Sequence, residues 1–172
     1  MSVFDFTDPE SPVEIAYFDR GPLDASQLLI GGQWGTYWYN GYIYGSEIGR
    51  GLDVFALRPS DHLTANEIEA ARLVELERSN PQLQTRITWP ASFVVARAVL
   101  DQLQRGTDLP AARVTALAAA IARAESADGS GRSAALTVAT GAVRELQQGA
   151  SEGSIDARRL ELLATTLDGL SR

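Results

Sequence analysis

The residues in this chain best suited to chemistry are few. One histidine, His62, stands in Pro59-Ser60-Asp61-His62-Leu63. A histidine beside an aspartate is the pairing from which a general base or a metal ligand is made. Ser60, Asp61 and His62 also supply the three residue types of a hydrolytic triad. Consecutive residues cannot converge with the acid behind the imidazole ring, so a turn or helix-cap role suits this segment better. The carboxylates Asp5, Asp8, Asp19, Glu47 and Asp53 lie in or near the part of the chain that reads as β. Paired carboxylates can hydrolyse glycosides or hold Ca²⁺. The D-x-[DN]-x-[DN]-G spacing is absent, and strand-edge carboxylates are ordinarily solvated or paired with arginine. Glu47 and Arg50, on either side of Ile48-Gly49, read as such a local ion pair. No catalytic set, metal site or cofactor is assigned on this basis.

Composition removes other chemistries. There is no cysteine, which excludes disulfides, thiolate metal sites and cysteine nucleophiles. All 15 basic residues are arginine, so no Walker lysine exists, and the glycines form neither phosphate-binding motif. The net charge of −7 is spread along the chain, which argues against nucleic-acid partners, since these need concentrated cationic surface. No run approaches the ~18 apolar residues of a membrane span. Arginine in place of lysine and an alanine-rich C-terminal half fit the coding bias of a high-GC bacterial genome.

The richest segment is 31–57, GGQWGTYWYNGYIYGSEIGRGLDVFAL, with two of the three Trp and four of the five Tyr. Trp34, Tyr37, Trp38, Tyr39, Tyr42 and Tyr44 surround Asn40-Gly41. Asn-Gly between aromatic and β-branched residues predicts a hairpin, because a type I′ turn needs positive φ at both central positions. Residues two apart on a strand share a face. Tyr37 and Tyr39 therefore point one way and Trp38 the other, and Tyr42 and Tyr44 share a face. One aromatic set should form core. The other could present a platform for a sugar or a peptide, since Tyr and Trp join flat apolar area to a polar tip. With Glu47 and Arg50, these six aromatics are the candidate ligand-binding residues.

The elements that must position them follow from local patterns. Val3–Phe6 and Val13–Phe18 read as strands around the turn-rich TDPESP, where each proline pushes its predecessor to extended geometry. Gly21–Gly32 reads as a connection with one helical turn near Asp24–Leu28. Thr36–Tyr39 and Tyr42–Ser46 form the hairpin, and Leu52–Leu57 is a further strand. A start at Met1 directly inside a β pattern suggests that sequence is missing upstream.

Helical spacing begins at Thr64-Ala65-Asn66-Glu67, a capping box, and this helix is expected to run to Asn80-Pro81. Pro81–Trp89 reads as a linker. Four further helices are expected. The first starts near Pro90 and carries Phe93, Ala96, Leu100 and Leu103. The second starts near Asp108 and Pro110, with Val114, Leu117, Ala118, Ile121 and Ala124 inward. After a turn at Gly129-Ser130-Gly131 come Leu136, Ala139, Val143 and Leu146, and then a fourth helix capped by Ser154 or Asp156 with Leu160, Leu163, Leu167 and Leu170. Short connections and single apolar stripes imply an antiparallel bundle. The fold class is therefore α+β: an antiparallel β segment over 1–63, a capped helix and linker over 64–89, and a helical bundle over 90–172.

Three stretches carry a family resemblance. Asn40-Gly41-Tyr42-Ile43-Tyr44-Gly45-Ser46 matches a "GNYAYVAD" piece, and Gly51-Leu52-Asp53-Val54-Phe55 matches "GLRVVD". Phe4-Asp5-Phe6-Thr7-Asp8-Pro9-Glu10-Ser11-Pro12-Val13 matches "VDVSDP.NPV". Over roughly residues 2–75 the chain resembles the C-terminal end of bacterial LVIVD-repeat proteins, which are secreted or surface β-propeller-like proteins. The helical tail resembles small modules of the FIMAH type appended to secreted bacterial proteins. The chain departs from the family in supplying only one blade and part of another, and a lone blade exposes both faces.

The resemblance implies a non-enzymatic binding or scaffold role as the C-terminal part of a secreted or surface protein. Its partners would be the remaining blades, another protein chain, a glycan or a peptide. Two alternatives stand beside it. One is a propeller hydrolase using Glu47, Arg50 or Asp53. The other is a purely structural unit whose helices cap the last blade and block edge-to-edge pairing.

Overall fold

The structure, a computed structural model, describes all residues except Ser79, Gln84, Thr85 and Thr107. The chain is α+β and divides into two compact units, Met1–Thr88 and Trp89–Arg172.

The first unit opens on a hairpin of β1 (Ser2–Asp5) and β2 (Val13–Tyr17), paired antiparallel with a bulge at Ile15. Aspartates build its turn. The Asp5 carboxylate accepts the Thr7 amide at 2.8 Å, and that of Asp8 accepts the Glu10 amide at 3.0 Å. Gly21–Gly32 holds no helical turn. The Asp24 carboxylate takes the Ser26 amide at 2.7 Å, the Ser26 hydroxyl at 2.7 Å and the Gln27 amide at 3.1 Å. That side chain satisfies locally the donors a helix would send to its backbone.

β3 (Gln33–Tyr39), β4 (Tyr42–Glu47) and β5 (Gly51–Phe55) form an antiparallel sheet in that order. Asn40 at φ 47° and Gly41 at φ 87° make the two-residue turn between β3 and β4, as the Asn-Gly pair predicts. β3 starts three residues earlier than expected. A bulge at Trp34 lets Gln33 pair with Glu47 and Gly35 with Ser46, and such an inserted residue leaves no periodicity signal.

α1 (Ala65–Arg72) starts at the expected capping box. Thr64 accepts the Glu67 amide and Glu67 accepts the Thr64 amide. It ends eight residues before Asn80. The amides of Leu73 and Val74 turn back to Ala70 and Ala71, Val74 is buried, and the backbone of Leu76 is claimed by Asn40. Tertiary pairing overrides the helical periodicity there. The expected linker contains a 3₁₀ turn at Pro81–Leu83.

The second unit contains α2 (Phe93–Arg105), α3 (Ala111–Ser126), α4 (Gly129–Gly149) and α5 (Ile155–Leu170). Each packs on two others, in the ring α2–α3–α4–α5. Arg97 near the start of α2 pairs with Glu125 near the end of α3. Gly106, closing α2, lies against Asp156 at the start of α5. Both contacts fix an antiparallel arrangement. The expected stripes are the core: Leu103, Leu117, Ile121, Val143, Leu160, Leu163 and Leu167 are all fully buried, while Leu170 is half-buried. Two boundaries differ from expectation. Pro90 precedes the true cap, Ser92, whose hydroxyl accepts the Val95 amide at 3.2 Å. Gly129-Ser130-Gly131 forms the first turn of α4 rather than a connection, because Ala127 and Asp128 suffice to join α3 and α4.

Candidate functional site

The pairing of β3–β4–β5 sorts the candidate residues onto two faces. Tyr37 lies opposite Tyr44, Tyr39 opposite Tyr42, Tyr44 opposite Val54 and Ser46 opposite Leu52. Opposed residues of an antiparallel ladder share a face. The four tyrosines, Leu52 and Val54 therefore make one surface, with the Tyr39 and Tyr44 rings 6.3 Å apart at 56°. It is open. Tyr37 is 55% exposed, Tyr42 43%, Val54 54% and Leu52 69%, and Tyr39 and Tyr44 are half-buried. Leu52 and Val54 were not among the sequence candidates, although the alternation of Leu52-Asp53-Val54-Phe55 already placed them together.

Trp38 faces the other way, opposite Ile43, which in turn pairs with Phe55. This is the inward side: Ile43 is buried, and Phe55 meets the Phe18 ring at 4.6 Å between centroids. Trp38 is therefore separated from the tyrosines. Trp34, carried on the bulge, is 82% exposed.

Glu47 belongs to this inward side and is a structural clasp. Its carboxylate accepts the Gly32 amide at 2.7 Å and the Gly49 amide at 2.9 Å, with Arg50 Nη1 at 3.6 Å. The Gly32 hydrogen bond, with those from the Arg50 and Gly49 amides and the Arg50 charge, holds its pKa below the ordinary value despite burial. Arg50 is also committed, donating to the Pro22 carbonyl at 3.0 Å.

Asp53 is held by the Arg20 guanidinium and by Gln33 Nε2, the latter at 2.7 Å. These two hydrogen bonds, Arg20 first, lower its pKa as well. Arg20 itself lies over the Phe18 ring. A glycosidase needs one carboxyl kept protonated as general acid; Glu47 and Asp53 are both held ionised and occupied by separate partners.

The hydrogen bond found at His62 is made by its backbone. Its amide donates to Ser60 Oγ at 3.3 Å, and that hydroxyl donates to the Ile15 carbonyl at 3.1 Å, so the segment forms a turn. Beside it, between β2 and the strand continuing from β5, lies a cavity of about 590 Å³ whose lining includes Ile15, Phe18, Ile43, Phe55 and Leu57. Among the described residues no group of three or more acidic or imidazole side chains is placed to hold a metal, and no helix is long and apolar enough to cross a membrane.

Comparison with known proteins finds no matching family model, no matching curated protein and no matching solved structure.

Proposed function

We propose that this chain is a non-enzymatic interaction module, the C-terminal part of a secreted or surface protein of β-propeller type, and that it binds through the tyrosine face of β3–β4–β5. One observation carries the reading. The sheet buries one face within its own unit, while the other presents Tyr37, Tyr39, Tyr42, Tyr44, Leu52 and Val54 with three of its aliphatic and aromatic side chains more than half exposed. A contiguous apolar surface of this kind marks a contact with another surface. In a blade-like sheet the natural contact is the next sheet, and the tyrosine hydroxyls equally suit a flat glycan. The stretches resembling LVIVD repeats fall on β4, on β5 and on the turn between β1 and β2, and they support this reading.

The experiment is amide-resolved NMR of the full chain titrated with two probes, cello-oligosaccharides and a synthetic polypeptide of one propeller blade. Shift changes gathered on Tyr37, Tyr42, Leu52 and Val54, and abolished by Tyr42→Ala, are the expected result. Silence toward both probes, or shifts confined to 89–172, overturns the proposal.

A further inference from the structure

β3 is an edge strand with one neighbour, β4. It is the longest strand in the molecule, and its sequence, QWGTYWY, contains no charged residue and no proline. Each other strand carries a carboxylate: Asp5, Glu14, Glu47 and Asp53. Charge and proline are the usual means of keeping a strand edge from pairing with another chain, and here only the bulge at Trp34, at one end, serves that purpose.

The hydrogen-bonding pattern of the open edge follows from the turn. A two-residue hairpin makes its flanking pair, Tyr39 and Tyr42, hydrogen-bonded, and the pattern then alternates along the ladder. Tyr37–Tyr44 and Gly35–Ser46 are thus bonded pairs, while Trp38–Ile43 and Thr36–Gly45 are not. The N–H and C=O of Thr36 and Trp38 consequently point away from β4. Among the described residues, no backbone hydrogen bond outside the sheet reaches Gln33–Tyr39. Thr36 and Tyr37, which face opposite sides of the sheet, are both exposed, so the edge is open from above and below.

We infer that β3 is a self-association edge: two copies of this chain pair antiparallel through β3, centred on Thr36, to join two three-stranded sheets into one of six strands. The occupant is a second copy because the edge is self-complementary. Thr36 opposite Thr36 of the other copy exchanges both outward hydrogen bonds. Gly35 then falls opposite Tyr37, Trp34 opposite Trp38 and Gln33 opposite Tyr39, so Tyr37 meets a glycine, the two tryptophans meet each other and Tyr39 meets a neutral side chain. No charge is brought against its like, although the chain as a whole carries −7. A short, uncharged, aromatic-rich strand without proline is the composition that pairs with itself.

Sedimentation velocity of the full chain over about a hundredfold concentration range tests this. The expected result is a reversible dimer, with the Thr36 and Trp38 amides protected from exchange at high concentration and released on dilution. Thr36→Pro removes an outward N–H without touching a β3–β4 hydrogen bond. It should raise the dimer dissociation constant at least about tenfold, the loss expected for two backbone hydrogen bonds. Thr36→Lys, which sets two like charges directly opposite each other and keeps the backbone intact, should do the same. Val54→Asp, on the sheet face, should leave the dimer unchanged. A chain monomeric at every concentration, a dimer insensitive to both Thr36 variants, or one lost with Val54→Asp instead, overturns the inference.

Discussion

Asn40 and Leu76 are paired in both directions. The Asn40 side-chain carbonyl accepts the Leu76 amide at 2.8 Å, and its amide group donates to the Leu76 carbonyl at 3.2 Å. One residue thus serves two ends: it holds positive φ in the β3–β4 turn and fixes the segment after α1 against that turn. Asn40→Gly keeps the turn geometry and deletes both bonds. It should destabilise the first unit by about 1–3 kcal/mol, with faster amide exchange at Leu76. Asn40→Ala should cost about 1 kcal/mol more, the added strain of a left-handed alanine. Urea unfolding followed by Trp34 and Trp38 fluorescence separates the two variants.

The same pair shows what the sequence could not reveal. Asn40-Gly41 signalled a turn because its chemistry is local, and Thr64 with Glu67 signalled a helix start for the same reason. The α2–α5 stripes were legible because each helix buries one face repeatedly along its length. The tyrosine face was half legible: alternation split Trp38 from Tyr37 and Tyr39, but joining Tyr42, Tyr44, Leu52 and Val54 to them required the ladder register. The Glu47–Arg50 pair was legible because it spans only the Ile48-Gly49 turn. The end of α1 at Arg72, the bulge at Trp34 and the closure of the Glu47 clasp on Gly32 were invisible. Each depends on a partner distant in sequence, Asn40, Glu47 and Gly32 respectively.

Acid should loosen the first unit. Glu47 and Asp53 both have pKa values lowered by folding, Glu47 chiefly through the Gly32 amide and Asp53 chiefly through Arg20. A lowered folded-state pKa means that the unfolded chain binds the proton more readily. The stabilisation is therefore complete above the ordinary values of 4.5 for Glu47 and 3.8 for Asp53, and is lost as pH falls through the lower folded-state values. Urea midpoints read by Trp34 and Trp38 should be flat near neutrality and decline on acidification below those ordinary values. Glu47→Gln should lower the midpoint at neutral pH and make the decline shallower; an unchanged slope would mean that Glu47 is not one of the groups being titrated.

Gly45 makes room for the bond between Gln33 and Asp53. A Cβ at Gly45 would lie 2.1 Å from Gln33 Oε1 and 3.2 Å from Phe55 Cε2. Gln33 can swing away, and in doing so it releases Asp53. Gly45→Ala should therefore bring the Asp53 pKa back toward its ordinary value, read by carboxyl NMR titration, while costing about 1–3 kcal/mol for the crowding against Phe55. Gln33→Ala should reproduce the pKa change without the crowding cost.

In the helical unit a tight contact joins Gly106 to Asp156. The Asp156 carboxylate is 2% exposed, with one oxygen on Arg159 Nη1 at 3.0 Å and the other, Oδ2, lacking a hydrogen-bond partner among the described residues. A Cβ on Gly106 would stand 2.9 Å from Oδ2 and 3.1 Å from Oδ1. Arg159 holds the carboxylate where it is, so it cannot retreat cheaply. Gly106 has φ −67°, which any residue adopts, and steric conflict alone decides the outcome. Gly106→Ala should destabilise the unit by about 1–3 kcal/mol. Asp156→Ala should also destabilise it, by leaving Arg159 without its partner. The double variant should cost less than the two singles combined, because removing the carboxylate clears the space that the new methyl needs. Thermal unfolding monitored by helical circular dichroism measures the cycle, and strict additivity would show that Gly106 and Asp156 do not press on each other in solution.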